Sequence, residues 1–152
     1  MITRIWLEVA HLGPLRIGGW AWLRHDGTTL SGMAGGARTI DAERQALAVF
    51  AEVLAELPDG AAVELASASP LLLAIPGRIA KAKAGEDAPP ENLDLWAKAT
   101  TQLGRLTLTL RRAEGQPAAF TAAWTERARD LARAKGAFKS AIPKPNLAKA
   151  GI

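Results

Sequence analysis

No cysteine occurs among the 152 residues, which excludes disulfides, thiolate zinc sites and cysteine nucleophiles. Histidine is almost as scarce. His11 and His25 are the only imidazoles, so no structural zinc site is expected. Uninterrupted apolar runs such as Leu71 to Ile75 fall far short of the roughly 20 residues that span a bilayer. Neither a transmembrane helix nor a membrane partner is therefore expected. The opening Met1-Ile2-Thr3-Arg4-Ile5-Trp6 alternates like a strand and lacks the long apolar run and cleavage site of a signal peptide, which implies a cytoplasmic location. Tyrosine is absent, and the five tryptophans read as core area rather than base-stacking faces.

Several kinds of chemistry are missing too. No phosphate loop occurs: the run Gly32-Met33-Ala34-Gly35-Gly36 lacks a following lysine and reads as a strand-to-helix turn. Ser67 and Ser69 have neither a histidine nearby in sequence nor a nucleophile-elbow pattern. His11, in the exit loop of the first strand, reads as a solvated surface residue.

What is present suits one α/β domain. The hydrophobic fraction of 49% can build one sizeable core at this length. Ile2 to Val9 and Gly19 to Arg24 have strand-like patterns, and Asp26-Gly27 signals a two-residue hairpin with both positions at positive φ. Thr28 to Met33 then forms the return strand. Leu47, Val49, Phe50, Val53, Leu54 and Leu57 recur at helical spacing between Asp41 and the stop Pro58-Asp59-Gly60. Ala62 to Ala66 reads as a buried strand and Pro70 as the first turn of a helix that Pro76-Gly77 ends or kinks. A short basic helix and an exposed Pro-rich loop follow up to Asn92. Asp94 caps a helix through Leu103, Leu106 to Arg111 alternates as a strand, and a last helix runs from about Ala118 to Lys135. The domain is thus expected over 1–136. Residues 137–152, with Pro143 and Pro145, are expected as a basic tail, extended or disordered.

In that order of elements, Gly18-Gly19-Trp20, Asp94-Leu95-Trp96 and Gly115-Gln116-Pro117 stand like three landmarks of bacterial type 1 ribonuclease H. The chain resembles that family from about Ile5 to Arg133. The resemblance implies a mixed five-stranded sheet, its first three strands antiparallel, with helices on both faces. It also implies a site where four carboxylates hold two Mg²⁺ ions that clamp the attacking and leaving oxygens of the RNA strand.

Only half of that carboxylate set is present. The family's first Asp falls on Glu8 and its Glu on Glu43, and these are the candidate remnant catalytic and metal residues, expected side by side. The third position falls on Ala68 and the fourth on Ala123, neither with a ligand atom. Glu126 and Asp130 lie further along the last helix and are expected to point elsewhere. The paired Asn that contact RNA in the family are replaced by Thr39 and Ile40, and its mobile His falls near Ala113.

The resemblance therefore implies a catalytically inactive ribonuclease H-like domain without a cofactor, Mg²⁺ entering only if a residual site exists. The net charge of +4 and the crowding of lysines near the end add a second expectation. Arg78, Lys81, Lys83, Lys139, Lys144 and Lys149 are candidate contacts to the phosphates of an RNA–DNA hybrid or other duplex. Two alternatives stand beside this reading: a protein-interaction or structural subunit with an unidentified protein partner, and a residual metal-dependent nuclease using Glu8, Glu43 and another acid.

Overall fold

The protein is described over residues 2–152 by a computed structural model. Strands β1 (Ile2–Leu12), β2 (Ile17–His25) and β3 (Leu30–Arg38) form an antiparallel meander. Helix α1 (Ala42–Ala55) leads to β4 (Ala62–Ser67), which lies parallel to β1. Helices α2 (Pro70–Lys83) and α3 (Leu93–Arg105) precede β5 (Thr107–Arg112), parallel to β4. The chain ends with α4 (Gly115–Lys135), β6 (Phe138–Ala141) and the short α5 (Lys144–Leu147). The sheet has the order β5-β4-β1-β2-β3-β6, with helices on both faces. It has six strands rather than five.

Period-two alternation explains the two layers. On β1, Ile5 and Leu7 join Trp20, Trp22, Val63 and Leu65 in a core covered by α1, α2 and α3. The intervening Trp6 joins Ala21, Leu23, Ala34 and Ala66 on the opposite face, under Ala128 of α4 and under Ile142, Leu147 and Ala150. Leu47, Phe50, Val53 and Leu54 line the inner stripe of α1, each at most 1% exposed, and each such burial contributes about 1.5–3 kcal/mol.

Helix α4 sits unusually close to the sheet, and glycines make the room. A Cβ at Gly19 would lie 2.3 Å from the Arg129 nitrogen and 2.6 Å from the Thr125 carbonyl oxygen, both backbone atoms of α4. At Gly36 it would meet the Ala132 methyl at 2.6 Å. The run from Gly32 to Gly36 is therefore strand interior, not the turn expected from its composition.

Three other local expectations change. The hairpin loop spans Asp26–Thr29, with His25 paired to Leu30. Of its first two residues only Gly27 has positive φ, at 96°. Asp26 stabilises the turn with its side chain instead, accepting from the Thr28 and Thr29 amides at 2.9 and 2.7 Å. Helix α2 continues through Pro76 to Lys83, because its buried Leu72, Ile75 and Ile79 hold both sides of the proline against the core. The third change is the tail. Residues 137–152 are folded onto the domain: β6 pairs with β3 from Met33↔Ala141 to Gly36↔Phe138, and Ile142, Leu147 and Ala150 are buried. Gly32 provides the seat, where an added Cβ would lie 3.1 Å from both the Ile142 and Leu147 side chains.

Candidate functional site

Glu8 stands on the α4 face of β1, only 7% exposed. Its carboxylate reaches across to the end of β4, where the Ser67 hydroxyl donates to Oε1 at 2.6 Å. The Ala68 amide donates to both oxygens, at 3.0 and 2.9 Å. Ser67 Oγ in turn accepts from the Ser69 amide at 3.0 Å, and Ser69 caps α2 by accepting from Leu72 N–H. The carboxylate is thereby built into the junction of β1, β4 and α2, its charge met by neutral donors.

Beside it is a recess of about 300 Å³, lined by Glu8, Ala68, Ser69 and Pro70 and, from α4, by Ala122, Thr125 and Glu126. Ala122 rather than Ala123 thus occupies the position over Glu8. Glu126, one turn onward, faces the recess as well, contrary to the expectation that it points away.

Glu43 lies in the first turn of α1 and is held by other partners. Arg78 Nη1 donates to it at 2.6 Å and Asn92 Nδ2 at 2.9 Å. The Arg78 guanidinium also lies over the Trp96 ring, 4.7 Å from its centroid. Next to this pair Arg44 grips Asp94 through two bonds of 3.1 and 2.9 Å. That grip holds the Asp94 carboxyl below its ordinary range and raises Arg44. Asp94 is therefore an ion-pair partner of α1, and Asn92 takes the N-cap position of α3 expected for it. Glu43 lines a separate recess of about 150 Å³ with Pro70, Leu71, Ile75, Arg78 and Trp96.

The donor set does not suit two bound cations. Ala68 and Ala122 bring no ligand atom, Glu8 already accepts three donated hydrogen bonds, and Glu43 is paired with Arg78. Among the described residues no three His, Asp or Glu side chains converge as a metal-holding group. His11 is not a free surface residue either; it is half-buried and its Nε2 lies 2.6 Å from the Ile40 carbonyl oxygen, joining β1 to the segment before α1.

The six candidate phosphate contacts are not assembled into one face. Arg78 is committed to Glu43, and Lys139 pairs with Glu52 of α1. Lys81 and Lys83 are exposed at the end of α2, on one side of the sheet. Lys144 and Lys149 are exposed in the terminal segment, which packs on the other side with α4. There they join exposed Lys135 of α4, part of the same lysine crowding, and two exposed cations of α4 outside the expected set, Arg127 and Arg133. The run Arg127, Arg129, Arg133 and Lys135 was the available signal. Of these, Arg129 pairs with Asp130. No helix among the described residues is long and apolar enough to cross a membrane.

No family model and no curated protein matches the sequence. Solved structures do match in shape. LC9-RNase H1, a type 1 RNase H with the type 2 active-site motif, superposes with a TM-score of 0.69 at 15% identity, covering 99% of this chain and 81% of that one. The N-terminal RNase H domain of rv2228c from Mycobacterium tuberculosis gives 0.59 at 12% identity, over 88% of this chain and 96% of its own. RNase H1 from the halophilic archaeon Halobacterium salinarum gives 0.52 at 16%, over 86% and 98%. With its antiparallel β1 to β3, parallel β4 and β5 and flanking helices, the chain has the ribonuclease H fold.

Proposed function

We propose that this protein is a non-cutting ribonuclease H-like domain that binds nucleic acid through the cations of α4 and the terminal segment. The observation that carries the reading is the separate engagement of its two remnant carboxylates, Glu8 by the end of β4 and Glu43 by Arg78 and Asn92. Hydrolysis by two cations needs several carboxylate oxygens aimed at one point. Ala68 and Ala122 beside Glu8 add no side-chain oxygen to the recess, where Glu126 is the other acid, and this supports the non-cutting reading. The exposed cations Arg127, Arg133, Lys135, Lys144 and Lys149 supply a positive surface suited to a phosphate backbone.

The test is titration of a labelled RNA–DNA hybrid and a DNA duplex at several salt concentrations, with cleavage followed in Mg²⁺ and in Mn²⁺. Binding is expected to weaken with salt, and Lys144→Gln with Lys149→Gln to reduce the logarithmic salt slope by about one per lost contact. No hybrid cleavage is expected. Cleavage abolished by Glu8→Gln or Glu126→Gln would instead establish a residual nuclease built on those two acids.

A protein-interaction scaffold is the second reading. It is favoured by the apolar recess beside Glu43, where Leu71 is 42% exposed among Pro70, Ala74 and Ile75. Absence of nucleic-acid binding at low salt would select it.

A further inference from the structure

Four of the five tryptophans, Trp6, Trp20, Trp22 and Trp96, are buried, whereas Trp124 is only partly so. It lines a cleft of about 200 Å³ between α4 and β6, with Arg127 and Leu131 on its own helix and Phe138, Ser140 and Pro143 across from it. The Arg127 guanidinium lies over the Trp124 ring at 5.1 Å from its centroid, and Phe120 supports that ring from a tilted position at 6.1 Å. Among the described residues Arg127 has no carboxylate partner, and the chain continues from Pro143 directly into the exposed Lys144.

We infer that this cleft takes one unstacked base of a single-stranded nucleic acid, with Trp124 and Phe138 as aromatic walls and Arg127 and Ser140 as its polar contacts. The inference rests on the nucleic-acid reading and narrows it to single strands. The volume is below the roughly 300 Å³ at which drug-sized pockets begin, which suits one planar ring system rather than a larger ligand. Every base has a π-face, and the Arg127 guanidinium over the Trp124 indole carries the charge a phosphate seeks. An apolar peptide side chain would use the walls but leave Arg127 without an anion. A paired base in a duplex is held in its own stack and does not enter.

The experiment compares a labelled oligothymidylate with a DNA duplex of equal length, in anisotropy titrations at low salt. The variants are Trp124→Ala, which removes a wall, and Ser140→Trp, which fills the cleft from an exposed strand position and keeps every cation. Each is expected to weaken single-strand binding by at least about fivefold, the lower end of what one stacked base contributes, with duplex binding changed by less than about twofold. Circular dichroism checks the fold, and Ser140→Trp decides if Trp124→Ala does not fold. Unchanged single-strand affinity, or equal losses on both probes, overturns the base site while leaving the phosphate-binding reading intact. Failure of the wild-type protein to bind either probe overturns both.

Discussion

Shortening Leu147 or Ile142 to alanine asks whether the terminal segment is part of the core or merely rests near it. Both side chains are almost fully enclosed, at 6% and 4% exposure, and both sit on the glycine floor at Gly32. Truncating a core leucine or isoleucine costs about 2–5 kcal/mol, the spread reflecting how far the site collapses into the hole. A second relaxation opens if residues 137–152 detach as a unit while β1 to β5 stay folded. Global stability then falls by no more than the free energy of docking, so each variant is expected near the lower end, about 2 kcal/mol. The double variant is expected to lose less than the sum of the two, since a detached segment has no contact left to lose. Urea denaturation measures the stability, and limited trypsin digestion reports detachment through early cleavage after Lys139 and Lys149, Lys144 being shielded from trypsin by the following Pro145. Urea midpoints and trypsin resistance equal to wild type in both variants would refute the packing argument.

Two further outcomes follow from the carboxylates. Ser67→Ala removes the hydroxyl that donates to Glu8 while leaving the carboxylate enclosed, so a loss of about 1–3 kcal/mol in urea denaturation is expected, and Ser67→Thr is expected to lose less. Asp94 has its folded pKa lowered by Arg44, and so the stability it adds is complete above the ordinary carboxylate value of 3.8 and is lost as pH falls through the lower folded value. Asp94→Asn is therefore expected to flatten the stability curve in that acid window, read as urea midpoints at about pH 3 and about pH 6; an unchanged curve would show that the pair with Arg44 does not persist in solution.

The fold was legible because its signals are local and repeated. Alternation in β1, the helical stripe of α1 and the stops at Pro58-Asp59-Gly60 and Gly136 each act over a few neighbouring residues. Segments were misread where distant contact overrides composition. The strand expected over Thr28 to Met33 runs on through the glycine-rich stretch that reads as a turn, because Trp20, α4 and the Ile142–Leu147 pair need the bare surface of Gly32, Gly35 and Gly36. β6 has four residues, too short to show a period, and is held by its pairing with β3.

The candidate site divides along the same line. Residue types alone determined that Ala68 brings no side-chain ligand, because a methyl group offers no lone pair in any fold, whereas the pairing of Glu8 with Glu43 as site candidates came from the resemblance. Which helix residue stands over Glu8, and that Glu126 joins it, depended on how α4 is rotated on the sheet. The cations behaved likewise. Their number was plain in the sequence, but a charge is available to a ligand only if no internal partner claims it. Only the tertiary structure brings Glu43 to Arg78 and Glu52 to Lys139, pairs 35 and 87 residues apart in the chain, and leaves Arg127 and Lys144 turned to solvent.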